Sequence, residues 1–100
     1  MSEARFWDIA EELMARPGVE EGTMMGHRCL RVDGQFAAMH SVRDEGLIVK
    51  LSEEQVDELV AEGAGHQFAP AGKVFREWVL IPDADARRWP SLMSQAVGDD

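Results

Sequence analysis

The chain has 100 residues, 45% of them hydrophobic, and a formal net charge of −9, which is the size of one domain with one modest core. The acidic balance sets a long-range field against polyanions and argues against direct nucleic-acid binding, and the single cysteine, Cys29, excludes an internal disulfide. The opening residues lack the basic start and apolar run of a secretory leader, and no apolar segment approaches the roughly 18 residues that span a bilayer, so a cytoplasmic protein is expected.

In chain order, the first predicted element is a helix over about Glu3 to Arg16, where Phe6, Ile9, Ala10 and Leu13 make an i, i+3, i+4, i+7 stripe flanked by Trp7 and Met14. Pro17-Gly18 ends it. Val19 to Met25 is ambiguous, because Gly22 and Gly26 suggest an irregular or bulged strand leading into His27 to Val32. Asp33-Gly34 is a strong hairpin signal. Two registers are open there. A two-residue turn pairs Val32 with Gln35 and Arg31 with Phe36. A three-residue turn with a bulge pairs Val32 with Phe36 and Leu30 with Ala38, and it is preferred because it gathers Leu30, Val32, Phe36 and Ala38 on one apolar face. The opposite face then carries Cys29, Arg31, Ala37 and Met39. A third strand, Leu47 to Leu51, follows a turn around Asp44 to Gly46, and Ile48, Ala37 and Met39 make the second face partly apolar.

Ser52 to Gln55 has the spacing of a capping box, which starts a second helix whose buried stripe is Val56, Leu59 and Val60 and whose stop is Gly63. Its acidic run reads as a solvated face. Ala64 to Lys73 reads as loop with a short extended piece near His66 to Phe68 and turn material at Pro70-Ala71-Gly72. Phe75 to Ile81 is the clearest strand, with Trp78 and Leu80 on one face and Phe75, Val79 and Ile81 on the other. After Pro82, Asp83 caps a short helical turn, and a last helix restarts with Pro90 in its first turn, keeping Trp89, Leu92, Met93 and Ala96 at helical spacing. The tail from Val97 to Asp100 is expected to fray. No internal repeat divides the chain. The predicted architecture is a single α+β domain over 1–100, two-layered, with an antiparallel sheet and helices on one face, in the order α-β-β-β-α-β-β-α.

The pieces Thr23-Met24-Met25-Gly26, Leu30-Arg31-Val32-Asp33-Gly34-Gln35-Phe36-Ala37, Leu47-Ile48-Val49-Lys50, the acidic second helix, Phe68 and Arg76-Glu77-Trp78-Val79 resemble, in type and order, the TfoX N-terminal domain family. The match covers about Phe6 to Trp89. The resemblance implies a secretion-chaperone-like α+β fold in a small bacterial protein, a stand-alone domain without the second, helical domain of full-length competence regulators. It carries over no catalytic residues. Of the positions matching the family pattern, Met25, Gly26, Gly34, Phe36 and Ala37 look structural, while Lys50 is expected to serve a contact.

No dinucleotide fingerprint, P-loop, zinc-helix motif, paired cysteines or nucleophile elbow is present, so no catalytic activity is expected. One polar constellation has a geometric argument. In the two-residue register His27 and His40 lie opposite each other with Cys29 two residues along on the same face, a spacing compatible with a transition-metal ion; in the bulged register they separate. A thiolate nucleophile at Cys29 needs cationic neighbours on its own face, and alternation puts Arg28 on the other. With no cofactor or metal expected, the leading expectation is a cytoplasmic interaction module that pairs through its sheet with a protein partner or with itself as a homodimer. The alternatives are a nucleic-acid-linked transcription or competence regulator acting mainly through a protein partner, and a small-molecule or metal-binding domain.

Overall fold

In the computed structural model, which describes residues 2–98, the first helical stripe does what its spacing requires: Phe6, Ala10 and Leu13 of helix α1 (Ser2–Leu13) are buried. The ambiguous stretch after Pro17-Gly18 is a strand in its own right, β1 (Val19–Met24), followed by β2 (His27–Val32), β3 (Gln35–Ser41) and β4 (Gly46–Lys50). Helix α2 (Glu53–Ala61) follows, then β5 (His66–Phe68), a 3₁₀ turn at Pro70–Gly72, β6 (Phe75–Pro82), a second 3₁₀ turn at Asp83–Arg88, and helix α3 (Trp89–Ala96). The strands form one antiparallel sheet in the order β1-β2-β3-β4-β6-β5.

The capping box forms at the start of α2: the Ser52 side chain accepts from the Gln55 amide while the Gln55 side chain accepts from the Ser52 amide. Val56 and Leu59 of α2 and Leu92 and Met93 of α3 are buried with the α1 stripe against Leu30, Ala38, Leu47, Val49, Val79 and Ile81 of the sheet. All three helices therefore cover one face, and the α+β class and layer arrangement stand as predicted. Trp89 fills the centre of that layer, fully buried, and its Nε1–H donates to the Ile81 carbonyl at 3.3 Å. Val97, expected in a frayed tail, packs into the same core; Asp99 and Asp100 lie outside the described residues.

Register is where the structure departs from expectation, and the two alternatives turn out to be combined. Asp33 and Gly34 have φ of 51° and 82°, the two positive values that a type I′ hairpin turn requires. Val32 therefore pairs with Gln35 and Arg31 with Phe36. One step further the register shifts, and Leu30 pairs with Ala38. Turn chemistry wins at the tip, burial of Leu30 and Ala38 wins beyond it, and the surplus residue, Ala37, is absorbed in a bulge. Phe36 is consequently not on the helical face with Leu30 but on the opposite one, while Ala37 joins the helical core. A second irregularity, between Gln67 and Phe68, pairs Phe68 with Phe75, so Phe75 meets the Trp78 ring at 5.0 Å and not the face of Val79 and Ile81.

Because Trp89 both fills volume and satisfies a buried carbonyl, Trp89→Ala should cost about 3–5 kcal/mol, whereas Trp89→Phe, which keeps most of the ring and loses the N–H bond, should cost about 1–2 kcal/mol. Urea unfolding followed by far-UV circular dichroism separates the two.

Candidate functional site

Among the described residues, no helix packs across the other face of the sheet. Side chains of directly paired residues share a face, so the pairs Gly22–Cys29, Arg31–Phe36, Met39–Ile48, Ile48–Leu80 and Lys50–Trp78 show what lies there. Cys29, Phe36 and Ile48 are buried, and Met24, Met39, Phe68, Trp78 and Leu80 pack around them half-buried. The Trp78 ring is stacked at 4.3 Å and 22° on Phe36 and at 5.7 Å and 24° on Phe68. Both faces of the indole are thus used within the protein.

The face is concave at one end. β2 and β3 pair at Leu30–Ala38, Arg31–Phe36 and Val32–Gln35; beyond Leu30–Ala38 no pairing joins the β1–β2 and β3–β4 hairpins. Between their tips runs a trough of about 640 Å³, within the size range of binding clefts. Met24, Met39, Ile48, Phe68 and Trp78 line it together with polar groups that include His27, Arg28, His40 and Asp44. The two tips carry the most exposed large apolar side chains of the described residues, Met25 at 72% and Val42 at 71%. Met25 is unusual in a second way. With Gly26 it makes the β1–β2 turn, at φ of 52°, a left-handed conformation that a long side chain adopts at a cost of about 1–2 kcal/mol. A residue that neither packs nor suits its backbone breaks two local rules at once, and such departures gather at functional sites.

Three cations border this face, and Glu20, the cross-strand neighbour of Arg31, shares it. Arg31 lies across Gly22, where any β-carbon would meet its Cδ at 2.5 Å, and its guanidinium donates to the Gly34 and Thr23 carbonyls. Its charge therefore has hydrogen-bond partners and no ion pair among the described residues. Lys50 stands beside Trp78, and the Lys73 ammonium sits 5.7 Å from the Phe75 ring. On the helical side the pattern is the reverse: Arg28 stacks on Trp7 at 4.1 Å and donates two bonds to Glu21, which holds that exposed carboxyl below its usual range.

The structure does not bring His27, Cys29 and His40 together. His27 is exposed near the β1–β2 turn. Cys29 is buried in the open face, and His40, paired with Leu47, points to the helical side, where its Nε2 lies 3.4 Å from Asp83 and its ring 5.8 Å from Trp89. No group of three potential metal ligands forms among the described residues. Burial raises the Cys29 thiol above its usual range, and the neighbouring Arg31 only partly opposes this, so the group lacks the depressed pKa of a nucleophile. Of the family-pattern positions, Met25, Gly26 and Gly34 occupy the two tight turns, Phe36 and Ala37 flank the bulge, and Lys50 borders Trp78. Sequence reasoning placed Cys29, Arg31, Met39 and Ile48 on this face, put Ala37 there wrongly, grouped Trp78 with Leu80 without assigning their face, and missed Phe36, Phe68, Phe75 and the two tips. The two-residue reading of Asp33-Gly34 held the signal for Phe36.

No helix among the described residues is long and apolar enough to cross a membrane. Comparison with protein-family models, characterised proteins and solved structures finds no match to this chain.

A thiol whose folded pKa is raised keeps its proton in the native state while the unfolded chain loses it first. Stability should therefore fall as pH rises above the usual thiol range, and Cys29→Ala should flatten that fall; urea midpoints at pH 7 and pH 10 for both proteins check it. At neutral pH, iodoacetamide should label Cys29 at a rate that tracks unfolding by denaturant.

Proposed function

We propose that the chain is an interaction module of the TfoX N-terminal type, acting in the cytoplasm and docking a protein partner on the open face of its sheet. The observation that carries this reading is the apolar trough between the Met25 and Val42 tips. Half-buried methionines and aromatic rings in a concave patch offer a large apolar contact that the fold itself does not use. The α+β class is the one the resemblance implies and is compatible with the family type.

His27 and His40 both border the trough but Cys29 does not, and no group of three potential metal ligands forms among the described residues. A docking role uses what is present: adaptable thioether side chains, ring edges, and two prongs that project beyond the sheet.

The tips provide the test, because both side chains are exposed and their removal leaves the core intact. Met25→Asn places a residue suited to positive φ in the turn and should stabilise the fold by about 0.5–1 kcal/mol, while lowering partner capture. Val42→Asp should leave stability within about 0.5 kcal/mol and abolish capture. Affinity capture from nuclease-treated lysate of the source cells should recover a stoichiometric protein with wild type and lose it with both variants. Identical recovery by wild type and variants, together with a monomer at high concentration in sedimentation, would remove the reading.

A further inference from the structure

Resting on the docking reading above, we infer that the occupant of the open face is an acidic amphipathic segment of another protein, one whose apolar side chains fill the trough and whose carboxylates meet Arg31, Lys50 and Lys73. The ring cluster and the cations are placed as a unit. Arg31 is paired beside Phe36, Lys50 beside Trp78, and Lys73 lies over Phe75. None of the three forms an ion pair among the described residues, although Glu20 is the cross-strand neighbour of Arg31. An apolar patch bordered by cations that form no ion pair is complementary to an apolar stripe bordered by acids.

The net charge of −9 does not oppose this at short range. The carboxylates of α2 lie on the outer side of a helix about 10 Å thick, on the far side of the core, and the screening length at physiological salt is about 8 Å. The tip end of the trough is different, because Glu3 and Asp44 stand there. The partner's acids therefore belong at the ring end and its purely apolar residues between the tips, which gives the bound segment a direction.

Two other occupants fit less well. A second copy offering its acidic helix α2 brings no exposed apolar stripe, because Val56 and Leu59 are already buried. Single-stranded nucleic acid needs ring faces for its bases to stack on, and the Trp78 faces are occupied by Phe36 and Phe68.

The test uses two rhodamine-labelled 12-residue peptides with one leucine-phenylalanine pattern, carrying glutamate in one and lysine in the other at the polar positions, and a labelled oligothymidylate. Fluorescence anisotropy against the full chain should show the glutamate peptide binding about tenfold more tightly than the lysine peptide, as expected of three exposed ion pairs of ordinary strength. That ratio should shrink as salt is raised, and Lys50→Glu combined with Lys73→Glu should reverse it. Equal or tighter binding of the lysine peptide, or preferential binding of oligothymidylate, overturns the inference; if that binding is lost in Val42→Asp, the docking face itself stands. A dimer abolished by Val42→Asp overturns it in favour of a second copy. No binding by either peptide in a monomeric wild type overturns both the inference and the docking reading.

Discussion

One surplus residue in a hairpin, Ala37, decides which side chains the helices cover and which they leave to solvent. The turn at Asp33-Gly34 demands positive φ at both central positions and therefore a two-residue connection. The core demands that Leu30 and Ala38 face the helices together. These demands differ by one residue, and a side chain as small as alanine lets the strand take up the difference without a void or a clash. Phe36 passes to the open face as a result, where it stacks on Trp78. The pairing of β2 with β3 stops one pair past the bulge, at Leu30–Ala38, and the trough opens between the hairpin ends beyond it.

The two faces then diverge in chemistry as well as in cover. The helical side carries a densely packed core capped by acid-rich helices, with Trp89 as its largest buried side chain. The open side carries half-buried rings and thioethers, bordered by cations that form no ion pair among the described residues. Gly22 is part of this division. Only a residue without a β-carbon lets the Arg31 stem lie flat across β1 and bring its guanidinium to the Gly34 and Thr23 carbonyls. Cys29, beneath that arginine, is a packing residue whose burial keeps it protonated.

Much of this fold was legible in the sequence, because helical stripes, caps and a strand rich in branched residues each report a local physical preference. The α1 stripe, the Ser52 capping box and the restart of α3 at Pro90 depend on neighbours within one or two turns. The assignment of Phe36 and Phe75 to faces depends instead on where two strands slip past each other, and a shift of one residue inverts the answer. Arg31-Val32-Asp33-Gly34-Gln35-Phe36 favours one register and Leu30 with Ala38 another, and the bulge that reconciles them has no composition of its own. The trough was illegible for the same reason. It is made by strands that part, and no residue type marks the place where pairing stops. Met25 was the nearest thing to a local signal, a methionine where a turn ordinarily takes asparagine or aspartate.

The order of strands across the sheet carries a consequence for how the chain reaches this state. β1 to β4 lie side by side in the order in which they are synthesised, and each joins the next through a short connection. Closing such loops costs little chain entropy, so most of the sheet is within easy reach of a chain that is still searching. Only β6, which enters beside β4 after α2 and β5, and α1 packing with α3 across nearly the whole sequence require distant segments to meet. The platform on which a partner would rest is thus built mainly from the most local contacts in the protein, and the cover on its other side from the most remote.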